Sequence, residues 1–142
     1  MPFVYTVQGQ YVTVLLAALH EMRGGNTKTK TIAHIEKMGW FDLPPEDLES
    51  YPTHQYEAIW HTKLAFARQW CVRPSKPLLM SDHRERDEWE ISELGRERLL
   101  GVCEKFRTGI YDVREGHLWS LAFKKLLRPG YEPATPDVLD FV

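Results

Sequence analysis

Between Ile59 and Lys76 the chain carries Lys63, Arg68, Arg73 and Lys76 and no acidic residue. Off the apolar stripe of the same stretch lie His61, Thr62, Lys63, Ala65, Arg68 and Gln69. Such side chains read nucleic acid. Gln pairs with adenine, Arg and Lys bond guanine or phosphate, and a Thr methyl rests against thymine. The approach, Thr53-His54-Gln55-Tyr56, extends the polar set, and the Tyr56 ring is suited to stacking on a base. Two further groups of cations suit phosphates. Lys28 and Lys30, among Thr27, Thr29 and Thr31, open a helical pattern, and the amides of a helix N-terminus favour an anion. His83, Arg84 and Arg86 stand in a polar turn beside Asp82, Glu85 and Asp87. Each group also has a plainer reading. Lys63 and Arg68 fit a solvated helix face, Arg84 and Arg86 a solubilising turn, and the threonine-lysine run an ordinary helix cap.

Other chemistry is poorly represented. There is no Gly-x-Ser-x-Gly and no P-loop. Cys71 and Cys103 lack a C-x-x-C or C-x-x-H partner, and the six histidines are scattered, so no metal site or cofactor is expected. Glu-x-Lys, the pair with which one large class of nucleases helps hold Mg²⁺, does not occur. The expectation is a binding protein without catalytic activity.

At 142 residues, with 43% hydrophobic and 27% charged side chains, the chain has ordinary globular composition and enough length for one core plus an appendage. Its 18 basic and 20 acidic residues exclude a polycation that coats nucleic acid by bulk charge. The balance conceals segregation, because Phe41 to Ile59 holds five acids and no Lys or Arg, directly before the acid-free stretch. The longest apolar run, Tyr11 to Leu19, falls short of the ~20 residues that span a bilayer. No secretory leader is recognisable, and buried thiols suit a reducing compartment, so a cytoplasmic protein with no membrane contact is expected.

The elements that must position these groups follow from periodicity. Tyr11, Leu15, Leu19 and Met22 predict a helix over 10–23, stopped by Gly24-Gly25. Asn26 or Thr27 caps a second helix to about Met38, with Ile32 and Ile35 inward. Pro45 starts a short acidic helix over about 44–50. Trp60, Leu64, Ala67 and Cys71, widened by Phe66 and Trp70, predict a long helix from Tyr56 to Val72. Leu78-Leu79-Met80 and Trp89-Glu90-Ile91 form a hairpin around the 82–87 tip, and Ser92 caps a helix to about Phe106, where Gly95 permits close packing. Asp112 and Glu115 resemble a capping box for a last helix, 112–128, before an aperiodic tail. Trp60, Trp70, Trp89 and Trp119 are expected in the core. A lone hairpin is marginal and must lean on helices. The expected fold is therefore mainly α with a small β-hairpin, a winged helix-turn-helix over 1–107 plus an additional C-terminal helix and tail over 108–142.

In that order, Trp60-His61-Thr62-Lys63-Leu64-Ala65-Phe66-Ala67-Arg68 and Trp89-Glu90-Ile91-Ser92-Glu93-Leu94-Gly95-Arg96 resemble two motifs of the N-terminal winged-helix domain of Mrr-type, modification-dependent restriction proteins. The acidic PPEDLE segment also falls where that family has a short acidic helix. The resemblance spans roughly residues 8–106, with two departures: the 82–87 turn has no glycine, and no nuclease motif follows. It implies restriction, or recognition of methylated DNA, with double-stranded DNA as the partner, and the missing nuclease motif leads to the expectation that the DNA is bound without being cut. Two other readings use the same scaffold, a transcriptional regulator and a protein-interaction or dimerisation module, the latter with a homodimer through the 112–128 helix.

Overall fold

The computed structural model describes residues 3–4, 6–23, 25–52, 54–80, 88–108, 111–112 and 118–127. Their elements are β1 (Phe3–Val4), α1 (Val7–Glu21), β2 (Gly25–Thr27), α2 (Lys28–Met38), α3 (Pro45–Leu48), β3 (Ser50–Tyr51), β4 (His54–Ala58), α4 (Ile59–Cys71), β5 (Glu88–Glu90), α5 (Glu93–Thr108), β6 (Tyr111–Asp112) and α6 (Leu121–Leu126). The architecture is mainly helical with small two-stranded sheets. No described helix is long and apolar enough to cross a membrane.

Thr6 caps α1 by accepting the Gly9 amide hydrogen, and every residue from Gln10 to Leu19 is buried. A helix apolar on all sides has to be surrounded. On α4, Trp60, Leu64, Ala67 and Cys71 face inward as their spacing predicts. Leu99, Val102 and Cys103 of α5 and Ile35 of α2 join the same core, so both cysteines are buried. Thr27 caps α2 as expected, and Gly39 ends it in the left-handed conformation, at φ 65°.

β2 runs antiparallel to β5, with Asn26 opposite Trp89. On the other edge of β5, Leu79 bridges Ile91, the Met80 amide donates to the Glu90 carbonyl at 2.8 Å, and the Ser92 amide donates to the Leu78 carbonyl at 3.0 Å. The arms of the expected hairpin therefore pair. Its tip, with Arg84 and Arg86, lies outside the described residues. Trp89 and Ile91 are buried, as their alternation predicts. Ser92 Oγ accepts from the Gly95 amide at 3.0 Å and donates to the Pro77 carbonyl at 2.6 Å, which locks α5 onto the end of this arm.

Three expectations are corrected. The long helix begins at Ile59, not Tyr56, because His54–Ala58 instead pairs with β3 through Ser50–Ala58 and Tyr51–His54. Pro52 sits in the turn between them, a position that suits its fixed φ, and the Ile59 amide donates to the Glu49 carbonyl. The 112–128 helix is absent as such: Tyr111–Asp112 pairs in parallel with β1, and the helix is only α6, capped by Ser120 rather than Asp112. Glu115 lies outside the described residues. Leu118–Ser120 is extended because long-range partners hold it. Gln10 Oε1 accepts the Leu118 amide at 2.8 Å, the Gln10 carbonyl accepts the Trp119 indole N–H at 3.2 Å, and Trp119 bridges Phe41. Trp119, Phe123 and Leu127 are thus buried in the core around α1. Third, Phe66 does not widen the apolar stripe of α4 but is 65% exposed, whereas Trp70, partly buried, packs against the core as its spacing predicts.

A Cβ at Gly95 would overlap the Leu78 carbonyl oxygen and crowd Ile91. Gly95→Ala should therefore destabilise the protein by about 1–3 kcal/mol despite the better helix propensity of Ala. Urea denaturation measures this, and an unchanged midpoint would contradict the close approach of α5 to the 78–80 arm.

Candidate nucleic-acid interface

With Trp60, Leu64, Ala67 and Cys71 turned into the core, α4 presents Lys63, Phe66 and Gln69 outward, three residues apart along one exposed line. Thr62 and Arg68 flank it, each half-buried. His54, Gln55 and Tyr56 precede it on β4 rather than within the helix, and their side chains lie outside the described residues.

The cations expected to meet DNA are largely engaged already. Lys63 Nζ lies 2.8 Å from Asp47 Oδ1 of α3, and that aspartate side chain is only 6% exposed. His61 Nδ1 accepts the Ala58 amide hydrogen at 3.3 Å, closing the first turn of α4, while its Nε2 faces Glu36 Oε1 at 3.3 Å. Lys28 Nζ lies 2.8 Å from Glu57 Oε1. At the start of α2 the Lys30 amide donates to Thr27 Oγ1, so this terminus is closed by its own cap, and Lys30 itself is exposed. Three expected phosphate or base contacts, Lys28, His61 and Lys63, are thus tied to Glu57, Glu36 and Asp47. Two of those acids, Asp47 and Glu57, come from the acidic 41–59 stretch.

The charge that remains gathers at the other end of α4. Arg98, Arg73 and Arg68 all act on the Cys71 thiol and favour its thiolate, yet burial outweighs them and pushes its pKa up to about 12. Arg68 and Arg73 belong to the C-terminal part of α4 and the segment just after it, and Arg98 of α5 is near enough for its charge to bear on the same thiol. The Arg73 guanidinium lies 3.7 Å over the Trp70 ring, a cation–π contact that fixes its plane. Among the described residues none of the three arginines forms an ion pair, and Gln69 and Lys76 are exposed beside them in sequence. Sequence reasoning missed Arg98, which comes near α4 only because α4 and α5 both pack on α1. It also missed exposed Phe66, whose aromatic character reads as core.

No protein-family model, curated protein sequence or solved structure matches this chain.

Removing the Lys63 charge leaves the Asp47 carboxylate buried without its cation, an uncompensated group of the kind that costs about 1–3 kcal/mol. Lys63→Met should lower the unfolding free energy by that amount, and adding Asp47→Asn should restore part of it. A double-mutant cycle in urea measures the coupling. A coupling of zero would make the pair an incidental surface contact.

Proposed function

We propose that the chain is a winged-helix module that binds duplex DNA through the outward face and C-terminal half of α4. The order of elements supports this reading. β2 leaves α1 and enters α2, returns to the sheet edge of β5, and β5 takes the 78–80 arm on its other side. That order is compatible with a winged helix, in which α4 would be the helix that enters the major groove. Packed on α1 by one face, α4 keeps the other for a ligand. On it, Gln69 suits an adenine edge and Phe66 an apolar contact with a thymine methyl, while Arg68, Arg73 and Arg98 suit phosphates. The resemblance to Mrr-type domains adds restriction, and a methylated duplex as target. A transcriptional regulator would use the same face on another site. In either role the module recognises DNA and leaves cutting to other groups.

The second reading, a protein-interaction module, is favoured by Phe66 standing 65% exposed on a face whose Lys63 is neutralised by Asp47. A homodimer through the terminal helix has less to work with. Phe123 and Leu127 are buried in the chain's own core, and Leu121 is the one large exposed apolar side chain of α6.

Arg68→Ala combined with Arg73→Ala should weaken duplex binding at least tenfold. It should also reduce the slope of log K against log salt by about 2, near 0.9 per lost phosphate contact. Lys63→Met combined with Asp47→Asn, which removes both charges of the neutral pair, should change affinity little. Fluorescence anisotropy with unmodified, N6-methyladenine and 5-methylcytosine duplexes at two salt concentrations measures all three proteins. Undetectable binding of every duplex at low salt would reject the DNA reading in favour of the protein-interaction one.

A further inference from the structure

A cleft of about 500 Å³ opens between the C-terminal half of α2, α3 and the first turn of α4. Ile35, Phe41, Leu43, Leu48 and Trp60 supply its apolar wall, and Glu36, Ser50 and His61 supply a nearly equal polar share. The Phe41 and Trp60 rings meet edge to face, their centroids 5.9 Å apart, which gives one wall a rigid aromatic corner. Leu48, a large aliphatic side chain, is 59% exposed at this site, so apolar surface is left for an occupant to cover. Its volume falls in the range of small-molecule sites, in which a few placed polar groups fix a ligand's orientation.

The polar groups define the occupant. Among the described lining residues there is no Lys or Arg, and Glu36 is the one carboxylate, its side chain 57% exposed. His61 lines the cleft beside it. With Nδ1 accepting the Ala58 amide hydrogen, the neutral imidazole carries its own hydrogen on Nε2 and presents it to Glu36 at 3.3 Å. One histidine N–H does not exhaust a carboxylate, which has about four lone-pair sites. Asp42, Glu46 and Glu49 follow on the α3 side, in a stretch without any Lys or Arg from Phe41 to Ile59. An anionic ligand would meet Glu36 as a like charge. A cation gains from Glu36, and its ring gains from Phe41, Trp60 and Leu48.

We infer that the cleft binds a small aromatic cation, a planar ring system bearing a protonated amine or amidine. The ring lies against the Phe41–Trp60 corner and under Leu48, and the charged nitrogen bonds Glu36. This site stands independently of DNA binding, since its walls share no side chain with the arginine cluster at the far end of α4.

Three probes with one ring and different charge test it: tryptamine, indole and indole-3-propionate, each titrated into the full chain by calorimetry and by amide chemical shifts. Tryptamine should bind one site with the millimolar affinity usual for so small a ligand, about fivefold or more tighter than indole, with indole-3-propionate the weakest. The shifts should centre on Ile35, Phe41, Leu48 and Trp60. Glu36→Gln should abolish the preference for tryptamine while indole still binds, and Leu48→Ala should weaken all three. The proposal is overturned if tryptamine does not saturate by about 10 mM. Equal affinities for the three probes, or a tryptamine preference that survives Glu36→Gln, would overturn it as well.

Discussion

Burial of α1 on every side is the constraint from which the rest of the structure follows. From Gln10 to Leu19 no turn of this helix reaches solvent, so each side needs a cover, and the covers come from distant parts of the chain. Two polar side chains lie inside that run and must be satisfied there. Thr13 Oγ donates to the Gly9 carbonyl one turn earlier. Gln10 takes Leu118 as a partner through its side-chain oxygen and Trp119 through its backbone carbonyl, and thereby draws a segment more than a hundred residues away against the helix. The Asp42 amide then donates to the Leu118 carbonyl and the Ser120 amide to the Trp40 carbonyl, so the same segment also fastens the exit of α2. One group breaks the rule: the Tyr11 hydroxyl is buried without a hydrogen-bond partner among the described residues. Burial first, and the nearby Asp47 carboxylate second, hold that phenol firmly protonated.

Charge follows a similar logic. Along the chain the acids of 41–59 and the cations of 59–76 are separate blocks, which suggests a polarised surface. Folding brings α3 beside α4, and Asp47 then neutralises Lys63. Ion pairs between exposed groups contribute little, on the order of 0–1 kcal/mol, so Lys28–Glu57 matters for where charge is absent more than for stability. Lys63–Asp47 differs because its carboxylate is buried. The result is a helix nearly neutral over its first two turns and positive toward its end, where Arg68 and, just beyond α4, Arg73 carry the charge. Position along α4, rather than net charge, determines which of its cations are free to act on a ligand.

Legibility in the sequence divides along the same line. Whatever depends on local grammar could be read: the i, i+4, i+7, i+11 spacing of Trp60, Leu64, Ala67 and Cys71, the Thr27 and Ser92 caps, the inward alternation of Trp89 and Ile91, the close approach at Gly95. Whatever depends on a partner far along the chain could not. Leu118, Trp119, Ala122, Phe123 and Leu126 have helical spacing, yet the first two are extended because Gln10 and Phe41 offer them bonds that a helix would forgo. His54–Ala58 has a helical continuation in α4, yet it pairs with Ser50–Tyr51. The candidate site suffered most, since Lys63 and His61 have the residue types of base-reading groups and only the tertiary neighbours Asp47 and Glu36 show them to be engaged. Phe66 failed in the opposite direction, its apolar character predicting a burial that the rotation of α4 denies it.

The two ends of α4 are held by different means, and this bears on how the helix could recognise anything. At its start, the Ile59 amide donates to the Glu49 carbonyl, His61 reaches back to the Ala58 amide, and Lys63 is anchored on Asp47. At its end, the Cys71 carbonyl accepts from both Leu78 and Leu79, at 2.7 and 3.1 Å, tying the helix directly to the arm that pairs with β5. A helix pinned at both termini and buried along one face has little freedom to slide or tilt. Its outward residues are displayed at spacings set by a rise of about 1.5 Å per residue, over a length near 20 Å. If a ligand binds along this face, ordering Phe66, Gln69 and the arginines would be the main entropic cost, and Arg73 already has its plane fixed by Trp70. Preorganisation of this kind lets a short face with few cations discriminate among ligands by shape and hydrogen bonding, where a mobile basic helix would distinguish them by charge alone.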